Sequence, residues 1–244
     1  MNNDLLLLSK NDIPFTQARV NIHQPTIKEI SFISEESFHV GCQFLNFSIN
    51  NLSYEDKVNL ANKTDFEVFM SMMNNKDKAK YKVDALLVLT LLFPNHRIKI
   101  EEDHILLEGA EFSSSINHLN YDTFKDILSQ MFCLEETKQE DGNYNPADAY
   151  AAKIAEKFKK RQEILAKGKG VDLRKVSIFS RYISILAVGE GKDINQLMEY
   201  TVYQLKDEFK RFQMKHNFDF YIQAKMAGAK DLEEVDNWMD NIHS

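Results

Sequence analysis

A strand-to-helix junction near the amino terminus constrains the fold more than any other feature of this sequence. Residues 19–24 alternate polar and apolar side chains, which predicts a short strand, and Pro25 ends it. Thr26 and Glu29 then form the Thr-x-x-Glu pattern of a capping box, in which a hydroxyl and a carboxylate satisfy free amides at the start of a helix. The chain therefore begins with a strand that leads directly into a helix, which is a feature of a scaffold rather than of a reaction centre.

Short helices are predicted to follow this junction. Residues 27–33 carry isoleucines at the spacing of a two-turn helix, and the next short segment is predicted to break at Gly41. Thr64 and Glu67 form a second capping box, which opens a helix with phenylalanine and methionine along one side. Such a stripe is typical of a protein core.

The rest of the first half combines apolar helices with a hairpin. Residues 83–93 are apolar on every side, which predicts an enclosed helix that ends at Pro94. Residues 97–100 and 104–108 predict a β-hairpin with an acidic connection. A further helix, capped near residue 120, presents an apolar face. The first half is thus predicted to be α+β with little sheet.

The composition changes near residue 140. Residues 135–145 are polar and rich in turn formers, which is typical of a linker. Residues 147–175 contain nine Lys or Arg against four acidic residues, although the whole chain has a formal net charge of -7. From residue 178 onward the apolar spacing is helical, and it predicts one long helix from Asp193 to Phe212 with Ile194 on its inner face.

We therefore expect an α+β, predominantly helical protein in three parts. Residues 1–140 are predicted to form an α+β domain of short strands and helices. Residues 141–175 are predicted to be a polar, basic linker with an exposed helix, and residues 176–244 a helical domain. The two cysteines, Cys42 and Cys133, have apolar neighbours, which favours buried free thiols in a reducing compartment, while a single disulfide between them stays possible.

Composition and charge argue against several classes of partner. The acidic balance argues against nucleic acid and against an anionic membrane surface. No apolar stretch approaches the roughly 18 residues that a membrane span requires. The basic segment is open to three interpretations: a solvated helix face, a surface that docks on an acidic protein, or, least favoured by its few aromatic residues, a nucleic-acid site. Its candidate partner-binding residues are Lys157, Lys159, Lys160 and Arg161.

A search for reaction chemistry finds no motif. The chain has no phosphate-binding glycine loop, no dinucleotide fingerprint and no nucleophile elbow. His96, His104 and His118 follow no spacing known for metal ligands. Cys133 lies in an apolar run, which is a poor setting for a reactive thiolate. We therefore expect no catalytic residue, no metal and no cofactor.

Two stretches resemble phage proteins. Residues 22–30, Ile-His-Gln-Pro-Thr-Ile-Lys-Glu-Ile, form a strand that leads into a capped helix, followed by a helix-rich body without catalytic motifs, and this resembles the tail assembly chaperones of long-tailed bacteriophages. Residues 177–238 resemble phage and prophage proteins of unassigned function. The first resemblance implies a protein of the host cytoplasm that binds the tape-measure protein, keeps its long helices from aggregating and helps to recruit tail-tube subunits. It implies no catalytic residues.

Two other classes of function fit the sequence. A structural virion protein of the neck, tail or baseplate would share the acidic composition without motifs. An enzyme of unrecognised type would need a polar concave site. Self-association is also open, because the acidic residues near the carboxy terminus complement the basic segment.

Overall fold

The structure is a computed structural model that describes residues 4–51, 60, 62–75, 77, 79–134, 177–228, 235 and 237–239. The candidate partner-binding residues Lys157, Lys159, Lys160 and Arg161 lie outside the described residues, as do the boundaries predicted near residues 140 and 175. Helices dominate, and two small antiparallel sheets lie in the amino-terminal part. The predicted α+β, predominantly helical class is confirmed.

The described elements follow the chain in this order. The amino-terminal part contains α1 (Asp4–Ser9), β1 (Ile13–Phe15), β2 (Val20–Ile22), α2 (Ile27–Ser31), α3 (Glu35–Leu45), a short 3₁₀ turn (Ile49–Asn51), α4 (Asp65–Met73), α5 (Ala79–Leu92), β3 (Arg97–Ile100), β4 (Ile105–Glu108), β5 (Ser113–Ile116) and α6 (Tyr121–Phe132). The carboxy-terminal part contains α7 (Ile178–Glu190), α8 (Ile194–Met198) and α9 (Val202–Met226).

Both sheets are small and antiparallel. Strands β1 and β2 pair with Ile13 opposite Ile22, and the second sheet has the order β3-β4-β5. The predicted hairpin is confirmed as β3 and β4. Strand β5 was not predicted, because its run of serines is more typical of a loop than of a strand. The Ser114 hydroxyl donates to the Ala18 carbonyl and so ties β5 to the turn between β1 and β2.

The break predicted at Gly41 is wrong, because α3 continues through this residue. Gly41 faces α5 at very short range. A Cβ atom at Gly41 would lie 2.5 Å from the Asp84 carbonyl oxygen and 2.6 Å from Cγ2 of Val88. The glycine therefore serves the close packing of two helices, not a turn.

Helix α5 is less enclosed than its sequence suggests. Ala85, Val88, Leu89 and Leu92 are buried, but Val83 and Thr90 are exposed, so the expectation of burial on every side is wrong. The apolar run reaches the surface at one side of the helix. Neither α5 nor any other helix within the described ranges has the length and apolarity needed to cross a membrane.

The long helix predicted from Asp193 to Phe212 is divided in two. Helix α8 ends at Met198, and α9 starts again after Thr201. The Thr201 hydroxyl accepts from the Gln204 amide at 3.2 Å, and the Gln204 side chain accepts from the Thr201 amide at 3.0 Å, so a third capping box restarts the helix. Ile194 is 56% exposed, and its predicted place in the core is therefore wrong.

One apolar core includes side chains from both the amino-terminal and the carboxy-terminal parts. The Phe38 ring of α3 meets Phe132 of α6 edge to face at 4.9 Å and Phe179 of α7 at 6.1 Å. Tyr182 of α7 stacks on Phe209 of α9 at 3.9 Å. Cys42 and Cys133 are free thiols, and Cys42 is buried. The proposed division into domains stays a prediction.

Candidate functional site

The junction at Pro25 has the geometry that the sequence predicts. The Thr26 hydroxyl accepts from the Glu29 amide at 3.2 Å, while the Glu29 carboxylate accepts from the Thr26 amide at 2.7 Å. His23 bridges the Glu29 carboxylate, 3.3 Å away, and the Asp12 carboxylate, 3.1 Å away. Burial would raise the pKa of Glu29, but the hydrogen bonds from Thr26 and the charge of His23 outweigh it and lower this pKa. The junction is therefore a fixed, charged scaffold.

This junction docks directly on the carboxy-terminal helices. Thr26 and Thr201 form an antiparallel β-bridge, and the Ile27 amide donates to the Tyr200 carbonyl at 2.9 Å. Both threonines are the N-caps of helices, so α2 and α9 begin side by side. The break between α8 and α9 is therefore what allows the amino-terminal junction to pair with the second half of the chain.

A second connection joins α3 to the start of α7. Ser34 caps α3 with φ 71° and ψ 145°, a backbone region that residues other than glycine rarely occupy and that costs about 1–3 kcal/mol. The next residue, Glu35, accepts hydrogen bonds from the Ile178 amide at 2.8 Å and the Phe179 amide at 3.3 Å. The strained serine thus places a carboxylate on the amino terminus of α7, where an anion is favourable.

A groove of about 490 Å³ lies between α2, the start of α3, α7 and α8. We name it the α2–α7–α8 groove. Its apolar lining consists of Ile27, Ile30, Phe179, Ile183, Ile194 and Met198. Its polar lining consists of Ser31, Glu35, Ser177, Ser180 and Ser184. The serine side chains are small, so they leave room for another chain to approach α7 closely.

Exposed apolar side chains border this groove. We call them the apolar rim: Ile194, which lines the groove, Val188, one turn beyond the lining residue Ser184 on the same side of α7, and Phe32, next to the lining residue Ser31. Val188 is 88% exposed and Phe32 is 80% exposed. Single exposed apolar residues are ordinary, whereas a group of them around an apolar groove is typical of an interaction surface. Ile178 and Ile185 of α7 are also exposed, but helical spacing places them on the other side of this helix, away from the groove.

The histidines and cysteines considered from the sequence do not assemble a site. His104 contacts the adjacent Asp103 carboxylate at 2.7 Å, and within the described ranges no group of three or more His, Cys, Asp or Glu could hold a metal ion. Burial raises the pKa of the Cys42 thiol well above its usual range, which keeps it protonated. Cys133 ends α6 in a left-handed conformation, with φ 46°.

Sequence reasoning missed the groove. The α7 serines at positions 177, 180 and 184 follow helical spacing on one side of an otherwise apolar helix, and this was the signal available. The contact between Glu35 and Ile178 joins residues 143 positions apart, so no local pattern could have indicated it.

Comparison with known families gives one partial match. Residues 175–243 match the family model of the YomV second domain. That family is phage-associated, and the match fits a phage origin, although it covers less than a third of the chain. Searches among curated proteins and among solved structures found no match. Helices α7, α8 and α9 all lie in the matched stretch, so it supplies one side of the groove.

Proposed function

We propose that this protein is a non-catalytic tail assembly chaperone of a phage. It binds a helix of the tape-measure protein in the α2–α7–α8 groove, keeps it from aggregating in the host cytoplasm and helps to recruit tail-tube subunits. The observation that carries the proposal is the apolar groove with its exposed apolar rim. The partial match to a phage-associated family supports the phage setting.

The position of the groove adds support. Ile27 and Ile30 come from the stretch that resembles tail assembly chaperones, while Ile183 and Met198 come from the stretch that matches the YomV second domain. Both stretches that indicate a phage role therefore contribute to the same surface. A surface to which both stretches contribute is a better candidate binding site than a surface formed by either stretch alone.

The chemistry of the groove suits an amphipathic helix. Such a helix binds by inserting apolar side chains at positions i, i+3 or i+4, and i+7 into an apolar groove. Isoleucine and methionine line the groove, and the carboxylate of Glu35 is already engaged by two α7 amides. Binding in this groove would thus rest on apolar contact and shape rather than on a charged centre.

The basic segment has a supporting role in this proposal. Ser177, which lines the groove, follows the basic segment closely in the sequence. Lys157, Lys159, Lys160 and Arg161 would attract acidic parts of the client and speed association. Reversing the three lysines to glutamate is expected to slow association and to weaken its dependence on salt.

Co-expression with the tape-measure protein of the same phage tests the proposal. The wild-type protein is expected to raise the soluble yield of that client. Val188→Asp and Ile194→Asp, at two exposed rim positions, are expected to abolish the gain. Leu119→Asp is the matched control, because Leu119 is 80% exposed, close to the value of Val188, but does not line the groove.

Three results would count against the proposal. The first is that co-expression gives no gain in client solubility. The second is that Leu119→Asp loses this gain to the same extent as the rim variants. The third is recovery of the protein in stoichiometric amounts from purified virions, which is expected of a structural component. His104→Ala with Cys133→Ser is the control for catalysis, since an enzyme that used them would lose its activity and a chaperone would not.

A further inference from the structure

The second half of α9 carries an apolar stripe that the core does not use. Helix α9 has 25 residues, and its buried residues all lie at or before Phe209. Beyond that point apolar side chains recur at helical spacing on one face, and we call them the α9 stripe: Met214, Phe218, Tyr221 and Ile222. Ile222 is exposed, and the other three are half-buried. Such a face is suited to packing against another segment.

The chain itself returns to this face. Gly228 takes a left-handed conformation, with φ 85°, directly after α9. Ten residues later, the Trp238 carbonyl accepts a hydrogen bond from Nη1 of Arg211 at 3.1 Å. Arg211 lies about 22 Å back along the helix from Met226, at about 1.5 Å per residue. Trp238 therefore lies beside α9, about four turns before the end of that helix.

Trp238 lies at the near end of the α9 stripe. It lines a cavity of about 450 Å³ together with Arg211, Phe212 and Lys215. The Trp238 side chain is half-buried, as is Val235, three residues before it. Val235 and Trp238 are therefore two apolar side chains of this stretch that are not fully open to solvent.

The charges of the two segments are complementary. Residues 210–226 of α9 contain four basic residues against one acidic residue, while residues 229–240 contain five acidic residues against one basic residue. Arg211, Lys215 and Lys225 share the face of the α9 stripe. Lys225 also donates to the Tyr221 hydroxyl at 3.2 Å, so a cation lies beside an aromatic member of the stripe. An acidic amphipathic segment is what this face fits.

We propose that residues 229–240 dock on the α9 stripe of their own chain as an acidic strap. Trp238 and Val235 supply the apolar contact, and the carboxylates of the strap face the basic residues that flank the stripe. The proposal is independent of the client-binding function, because it concerns the face of α9 and not the α2–α7–α8 groove.

Tryptophan fluorescence tests this docking, because Trp238 is the only tryptophan of the chain. In the intact protein the emission is expected to be that of a partly buried indole with limited quenching by acrylamide. Phe218→Ala, within the stripe, is expected to shift the emission to longer wavelength and to increase quenching. Phe220→Ala is the matched control, because Phe220 is 72% exposed and lies on the opposite side of α9.

A charge variant and a dilution series complete the test. Lys215→Glu with Lys225→Glu is expected to produce the same red shift as Phe218→Ala, while far-UV circular dichroism stays that of a folded protein. The emission is expected to be independent of protein concentration, since the strap binds its own chain. Unchanged emission in Phe218→Ala would overturn the proposal, and so would emission that changes on dilution, which indicates the strap of a second copy.

Discussion

The Glu35 carboxylate accepts a hydrogen bond from the Ile178 amide at 2.8 Å, although the two residues are 143 positions apart. Glu35 thereby caps α7, which forms one wall of the α2–α7–α8 groove, from the first turn of α3. The groove depends on this contact, because it fixes where α7 begins relative to α2 and α3.

Removing the Glu35 cap is therefore expected to destabilise the protein. Glu35→Ala should lower the free energy of unfolding by about 1 kcal/mol, the usual value of a side-chain helix cap. Glu36→Ala is the matched control, because the carboxylate of Glu36 is exposed and its contact with the Lys80 ammonium, at 3.5 Å, is an exposed ion pair, so the change should cost less than about 0.5 kcal/mol. Urea denaturation measures both. Equal effects would mean that the contact with α7 contributes nothing to stability.

Disrupting the packing of α9 on α7 is expected to destabilise the protein more than removing the Glu35 cap does. Phe209 is buried and stacks on Tyr182 at 3.9 Å, so Phe209→Ala should lower the free energy of unfolding by about 3–5 kcal/mol. The exposed Gln213, one turn further on, is the control, and Gln213→Ala should cost less than about 0.5 kcal/mol. Chemical denaturation provides the comparison, and similar costs at both positions would place α9 outside the core.

Lys206 would be a poor control for the same experiment. It lies off the apolar stripe, but its ammonium donates to the Phe132 carbonyl at 2.8 Å and to the Cys133 carbonyl at 3.2 Å. It therefore caps the end of α6, where a cation is favourable.

A glycine-to-alanine change at Gly41 is expected to alter stability in the opposite direction from the usual one. Alanine normally stabilises the interior of a helix by about 0.5–1 kcal/mol relative to glycine. At Gly41 the added methyl group would overlap the Asp84 carbonyl oxygen, so Gly41→Ala is expected to destabilise by about 1–3 kcal/mol. Thermal unfolding measures the change, with Gln43→Ala on the exposed side of α3 as the control. A stabilised Gly41 variant would show that α3 and α5 are further apart.

The lowered pKa of Glu29 predicts a loss of stability in acid. Because this pKa is lower in the folded than in the unfolded chain, the stability that Glu29 contributes is complete above the unfolded value of about 4.3. It is lost as the pH falls through the folded pKa. Urea midpoints measured between about pH 6 and about pH 3 should therefore fall less steeply in Glu29→Gln than in the wild type. An identical slope in the two proteins would contradict this role, and Glu36→Gln is the control.

Local sequence patterns were sufficient to predict the structure where all the interacting groups lie within a few residues of one another. The capping boxes of Thr26 with Glu29 and of Thr64 with Glu67 were both predicted, because each box is complete within four residues. The equivalent box of Thr201 with Gln204 was missed. The apolar spacing on its two sides continues in phase, so the sequence suggested one helix where the structure has two.

The candidate site could not be predicted in the same way. Its parts come from α2, α3, α7 and α8, and what brings them together is the bridge between Thr26 and Thr201 and the cap of Glu35 on α7. Both contacts join distant positions through single hydrogen-bonding groups, which leave no periodic signal. Ile194 illustrates the consequence, because its spacing suggested the core, whereas the structure places it in the lining of the groove, 56% exposed.

Site-specific photo-crosslinking from Val188 tests the central claim most directly. A photoreactive amino acid at this 88% exposed rim position is introduced in cells that produce the phage, and the crosslinked protein is identified. The same group at Leu119, away from the groove, serves as the control. We expect a crosslink to the tape-measure protein from Val188 and not from Leu119. Absence of that crosslink, or crosslinks of equal yield from both positions, would contradict the assignment of the α2–α7–α8 groove as the client-binding site.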